Sequence, residues 1–120
     1  MKILIVDSTA IINERLKTMI SEANSALIIY QAKSYKEAMQ LFTQKKPTVV
    51  VLDSGLPGNR SAGLLKEIKK VNEKTVVIIL SLQINTLTAH KYATANFFLD
   101  KYHQFEKVAV VINSIITDEK

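Results

Sequence analysis

Five stretches of this chain are apolar at consecutive positions: Ile3-Leu4-Ile5-Val6, Ala26-Leu27-Ile28-Ile29-Tyr30, Val49-Val50-Val51-Leu52, Val76-Val77-Ile78-Ile79-Leu80 and the shorter Phe97-Phe98-Leu99. Neighbouring side chains of a strand point to opposite faces, so a strand with one wet face alternates apolar and polar residues. Runs without alternation need cover on both faces, as in a parallel sheet between two layers of helices. The intervening segments carry helical spacing. Ile11, Ile12, Leu16, Met19, Ile20 and Ala23 form one stripe. Tyr35, Ala38, Met39 and Phe42 form a second, with Ser34 as N-cap and Ser34 to Glu37 at capping-box spacing. Leu64, Leu65, Ile68 and Val71 make a third that starts near Ser61. Thr86 to Ala95 is a weaker helix of poor helix formers, and Phe105, Val108, Ala109, Ile112, Ile115 and Ile116 make the last. Five β-then-α units with short connections predict a doubly wound (βα)5 sandwich, one α/β domain spanning residues 1–120.

Composition removes several function classes. The chain has no Cys, hence no disulfide framework, thiolate metal site or cysteine nucleophile. No apolar run reaches the ~18–20 residues of a membrane span. The start, Met1-Lys2-Ile3-Leu4-Ile5-Val6-Asp7, lacks the cleavage region of a signal peptide, so no membrane partner and a cytoplasmic location are expected. The net charge of +5 is spread along the chain. Its densest groups, Lys45-Lys46 and Lys66, Lys69, Lys70, read as solvated helix faces with Glu67 and Glu73 interleaved. No aromatic residues alternate with them, and direct nucleic-acid binding is not expected. His90 and His103 are isolated and read as surface residues.

In an open parallel sheet, functional groups collect where strands end, near the point at which strand order reverses. Asp7-Ser8 follows the first run, Asp53-Ser54-Gly55-Leu56-Pro57-Gly58 the third, Ser81 the fourth and Asp100-Lys101 the fifth. Taken singly, Asp7 also suits a helix cap, Ser81 a polar strand end and Lys101 a surface lysine. Asp53 is different: a carboxylate at the mouth of a buried central strand is costly unless paired or used. A flavin or nucleotide site on the same architecture is disfavoured, because Asp7-Ser8-Thr9-Ala10 has no glycine and sets an acid where a phosphate would sit.

These segments, with Leu64-Leu65-Lys66-Glu67-Ile68-Lys69 and Ala95-Asn96-Phe97-Phe98-Leu99-Asp100-Lys101, resemble the receiver domain of two-component response regulators along essentially the whole chain. The resemblance implies a flavodoxin-like five-stranded parallel sheet of order 2-1-3-4-5. It also implies a phosphoacceptor switch rather than a turnover enzyme, with at most self-catalysed phosphorylation and dephosphorylation. Asp53 would be the phosphoacceptor, Lys101 the ammonium facing the phosphoryl oxygens, and Ser81 the switch hydroxyl. Phe98 would be the switch aromatic. The implied cofactor is Mg2+, held by Asp7, Asp53 and the backbone carbonyl of Gly55. The implied partners are a histidine kinase or phosphotransfer protein and a downstream protein on the face of helix four, strand five and helix five. That face would include Phe98, Tyr102 and Phe105, and homodimers through it are a further expectation.

Four departures from the family pattern carry expectations of their own. Ser8 replaces the acid that touches the metal directly, so Mg2+ affinity should be weakened and Ser8 itself is a doubtful ligand. Ser61 replaces a glycine and would be strained if its φ were positive. Leu82 replaces a small residue and could crowd Asp53. Tyr102 replaces a proline, so a cis peptide is not expected there. Gly55 and Gln83 hold the two positions thought to tune phosphoryl lifetime. Ser8 and Leu82 support the alternative reading, a degenerate receiver acting as a phosphorylation-independent interaction module.

Overall fold

The computed structural model describes residues 1–118. Among them, strands β1 (Lys2–Val6), β2 (Ile28–Ala32), β3 (Val49–Asp53), β4 (Val76–Ser81) and β5 (Phe97–Asp100) alternate with helices α1 (Ala10–Ala23), α2 (Tyr35–Lys45), α3 (Ser61–Val71), α4 (Thr86–Lys91) and α5 (Lys107–Asp118). The strands form one parallel sheet in the order β2-β1-β3-β4-β5. Alternate residues of the central strands supply two separate cores. Leu4, Val6, Val50, Leu52, Val77 and Ile79 pack with Ala38, Phe42, Leu64 and Ile68 of α2 and α3. Ile3, Ile5, Val49, Val51, Ile78 and Leu80 pack with Leu16, Ile20, Val108 and Ile112 of α1 and α5. This two-sided burial is the reason the strands read as unbroken apolar runs.

Three elements differ from their sequence expectation. Strand β2 lies two residues later than the run Ala26–Tyr30, because Gln31 and Ala32 continue the pairing with Ile5 and Val6. Helix α4 ends at Lys91 rather than Ala95. Its Asn85–Thr88 capping box fixes the start, but the following residues form turns. Helix α1 is rotated relative to the expected stripe: Ile11 is 70% exposed, whereas Asn13 is buried. Asn13 earns that place by hydrogen bonding. Its Nδ2 donates to the carbonyls of Asp7 and Ala32, each at 3.0 Å, and its Oδ1 accepts from Gln31 Nε2 at 2.8 Å. The side chain thus ties the ends of β1 and β2 to α1. At α2, Ser34 Oγ caps the Glu37 N–H as expected, while the Glu37 carboxylate reaches back to the N–H of Lys33 rather than that of Ser34.

The chain turns in opposite directions on leaving β1 and β3, so these neighbours define the reversal point of the sheet. Val6 pairs with Leu52, and the next residue on each strand is an aspartate. Replacing Asn13 by leucine should cost about 2 kcal/mol in urea unfolding, since two strand-end carbonyls lose a buried donor. Ile11→Ser should stay within ~0.5 kcal/mol of the parent protein.

Candidate functional site

The two aspartates at the reversal point are buried, Asp7 at 1% exposure and Asp53 at 8%. Two such charges side by side are tolerable only with compensation. Lys101 supplies it. Its Nζ lies 2.8 Å from Asp7 Oδ2 and 3.0 Å from Asp53 Oδ1. Lys101 follows β5, two strands from β3, and its N–H is fixed by the Ser81 carbonyl at 2.9 Å. Strands are ~4.8 Å apart, so only a long side chain can cross β4 to reach both acids. Burial disfavours the ammonium. The hydrogen bonds from Asp7 and Asp53, and their charges, outweigh it and hold the Lys101 pKa above the usual 10.5.

The remaining oxygens are distributed unequally. Asp7 Oδ1 accepts the Thr9 N–H at 2.8 Å, a cap-like contact where Thr9 itself caps α1 with no side-chain bond. Asp53 Oδ2 has no hydrogen bond from the described residues and faces Gly55, where an added Cβ would sit 3.3 Å away. Glycine therefore leaves this oxygen approachable. The cleft in front of it measures about 460 Å3 and is bordered by Ser8, Gly55, Ser81, Leu82, Lys91 and Lys101, among others. Ser81 is buried beside it, its Oγ accepting from Ser54 Oγ at 2.9 Å and from the Gln83 N–H at 3.1 Å. Asp53, Ser81 and Lys101 thus share one cleft, with Asp7 joined to it through the lysine. Phe98 lies outside this group, half-buried and edge-on to Tyr92 at 6.0 Å between ring centroids.

The loop after β3 is shaped by a turn at Pro57–Asn59, where Gly58 takes φ 73° and Asn59 φ 55°. Ser61 has no positive φ; the expected strain is absent because the reversal is taken up at Gly58 and Asn59. The Ser61 hydroxyl instead donates to the Asp53 carbonyl at 2.7 Å and accepts the Leu56 N–H at 3.1 Å. It closes the loop that carries Gly55. Leu82 does not cover Asp53: it is 65% exposed and only borders the cleft.

The family model for the response regulator receiver domain matches residues 3–113. The chain belongs to that family. Among its relatives is the chemotaxis protein CheY of Thermotoga maritima, 28% identical over 95% of this chain and 96% of that protein. A protein-glutamate methylesterase/protein-glutamine glutaminase of Methanococcoides burtonii is 26% identical over 97% of this chain. The chain spans about a third of that protein's length (34%). Of solved structures, the Francisella response regulator 1452 receiver domain superposes with a TM-score of 0.86 at 27% identity, covering 99% of this chain and 98% of that one. The signal receiver domain of a DNA-binding response regulator from Colwellia psychrerythraea gives 0.89 at 19% identity, with 97% and 98% covered, and shows the shared fold.

For this receiver the structure adds residues that sequence reading passed over. Asn13, Ser54 and Tyr92 all contact the strand ends or the loop that bears Asp53. Hydrophobic periodicity marks none of them, because each acts through hydrogen bonds to backbone or side-chain polar groups. The expected surface residues His90 and His103 are exposed. Phe98 and Phe105 are half-buried against the two cores, whereas Tyr102 is 82% exposed.

Two outcomes follow from the charge arrangement. Lys101→Met should destabilise the receiver by about 3 kcal/mol, since two buried carboxylates are left without their cation. If those oxygens can hold a divalent cation, millimolar Mg2+ should raise the melting temperature of this variant more than that of the parent. The pH dependence has a definite sign. A lysine whose pKa is raised on folding stabilises fully below 10.5, and the contribution is lost as pH rises through the folded value. Tyr92, buried and with its pKa pushed above 10.0 mainly by desolvation, adds to the same alkaline loss. Thermal melts should therefore show stability from these two groups that is level at neutral pH and falls above about pH 10.

Proposed function

We propose that this receiver accepts a phosphoryl group on Asp53 and passes the change to a protein-binding face. The observation that carries this reading is the asymmetry of the Asp53 carboxylate: Oδ1 is held by Lys101 while Oδ2 opens to the cleft beside Gly55. Receiver domains take phosphoryl groups from histidine kinases or phosphotransfer proteins. In the transfer, Asp53 Oδ2 would attack phosphorus, forming an acyl-phosphate P–O bond as the P–N bond of phosphohistidine breaks. The electron pair leaves on the imidazole nitrogen, which is protonated from water. In this reading Lys101 faces the charge that builds on the phosphoryl oxygens, a cation already fixed in place by two carboxylates.

Receiver domains generally bind Mg2+, and the residues here fit a weakened version of that site. The donors are all oxygen, from Asp7, Asp53 and the Gly55 carbonyl, as a hard cation requires. They are few: Ser8 gives a hydroxyl in place of an acid, and no group of three or more acidic or histidine side chains able to hold a metal ion occurs among the described residues. Both Asp7 oxygens are already engaged, by Thr9 and Lys101. When bound, Mg2+ would neutralise phosphoryl oxygens that Lys101 does not reach. The ion is expected to bind with lower affinity than at a three-acid site.

Output by way of α4, β5 and α5 is supported by exposed apolar side chains on and near these elements: Leu87 at 78%, Tyr102 at 82% and Val110 at 66%. No helix among the described residues is long and apolar enough to cross a membrane. A downstream protein, or a second copy of the chain, would bury these groups on that face. Incubation with acetyl phosphate and Mg2+ should add one phosphoryl mass, about 80 Da, to the intact protein, and Asp53→Asn should abolish the adduct. An unmodified parent protein at high Mg2+ would instead favour the phosphorylation-independent interaction module.

A further inference from the structure

Ser54, the residue after the proposed acceptor, makes three hydrogen bonds, two to the end of β4 and one to the residue just past α4. Its N–H donates to the Leu80 carbonyl at 2.9 Å, its Oγ donates to Ser81 Oγ at 2.9 Å, and its carbonyl accepts the Tyr92 hydroxyl at 3.2 Å. Ser81 Oγ in turn accepts the Gln83 N–H and donates to the Gln83 carbonyl, both at 3.1 Å. A serine hydroxyl has one proton to give and two lone pairs. All three are in use on Ser81. The Gln83 carbonyl also receives Thr88 Oγ1 of α4 at 2.6 Å. Helix α4 is therefore fastened at both ends: through Thr88 to Gln83 and Ser81, and through Tyr92, just past its last turn, to Ser54. Tyr92 is only 4% exposed and its ring meets Phe98 edge-on.

We propose that Ser54 is a resting-state latch on the Ser81 hydroxyl, a positioning residue that holds Ser81 away from phosphoryl duty, with Gln83 and Thr88 the tie that carries its release to α4 and Tyr92 the separate anchor of the other end of that helix. The proposal rests on the phosphoacceptor reading above. For Ser81 to donate to a phosphoryl oxygen on Asp53, it must withdraw its proton from the Gln83 carbonyl. Moving toward Asp53 also parts it from Ser54 Oγ. The Gln83 carbonyl is then retained by Thr88 alone, and one of the two fastenings of α4 is loosened. A ligand shifts such an equilibrium only by interactions that differ between the two states. Here the difference is the set of hydrogen bonds that Ser81 exchanges. Every contact to Ser54 that stabilises the resting arrangement works against the phosphorylated one.

The test compares Ser54→Ala, the hydroxyl-retaining Ser54→Thr, and Tyr92→Phe, which keeps the ring. Two readouts are taken on each full chain: amide hydrogen exchange in the unmodified protein, and the phosphorylated fraction at sub-saturating acetyl phosphate with Mg2+. Ser54→Ala should speed exchange of the Gln83 amide about fivefold and raise the ratio of phosphorylated to unmodified protein by a similar factor, the worth of one ordinary hydrogen bond. Ser54→Thr should restore both. Tyr92→Phe should speed exchange at position 92 and leave the Gln83 amide close to the parent. Parent-like exchange at Gln83 in Ser54→Ala overturns the latch, as does Ser54→Thr behaving like Ser54→Ala. A parent protein that takes no phosphoryl group overturns the phosphoacceptor reading instead, and the exchange measurements then decide the latch alone.

Discussion

The Lys101 ammonium, shared between two buried carboxylates, is the interaction on which the functional end of this molecule depends. Asp7 and Asp53 are brought side by side by strand register, and without a cation their repulsion would oppose the pairing of β1 with β3 at its most important point. The two acids and one ammonium leave one net negative charge within the triad, and the Lys91 ammonium stands on the border of the same cleft. That residue of charge matters chemically. In the proposed phosphoacceptor role it is small enough that an incoming phosphoryl group would meet less repulsion than at a three-acid site without its metal. With a hydroxyl rather than a carboxylate at Ser8, charge compensation between Asp7 and Asp53 falls to Lys101.

The sheet makes this geometry possible because it is dry on both faces. Each central strand sends alternate residues into separate cores, so its end cannot slide by a residue without exchanging the two apolar sets. Asp7, Asp53 and Ser81 are thereby held at fixed heights along the carboxyl edge. The loops above them are pinned by hydroxyl and amide side chains: Asn13 at β1 and β2, Ser61 at the β3 loop, Ser54 and Tyr92 between that loop and α4. Rigid strands and hydrogen-bonded loops divide the work. The strand ends place the charges, while side-chain hydrogen bonds hold the loops above them.

The architecture was legible in the sequence because burial on two faces leaves a mark: five runs of consecutive apolar residues, separated by segments of helical spacing. The strand order was legible only through resemblance to the receiver family, which is also the source of the roles proposed for Asp53, Lys101 and Ser81. Hydrogen-bond placement was not legible. Asn13 replaced Ile11 on the inward face of α1 because two strand-end carbonyls there needed a donor, a demand that hydrophobic periodicity does not register. Ser61 read as a strained substitute for glycine, yet it begins α3 without a positive φ and supplies a clamp. Leu82 read as an obstruction, and its exposure shows how little an identity change says about direction when the backbone beyond β4 is free to turn it outward.

The most direct test of the central claim is a crystal structure of the protein with Mg2+ and beryllofluoride, a tetrahedral phosphoryl mimic. The mimic should be bonded to one oxygen of Asp53, with Lys101 Nζ and Ser81 Oγ each within hydrogen-bond distance of its fluorines. An Asp53 that stays bare at saturating beryllofluoride, with Lys101 still bridging Asp7 and Asp53, would contradict it.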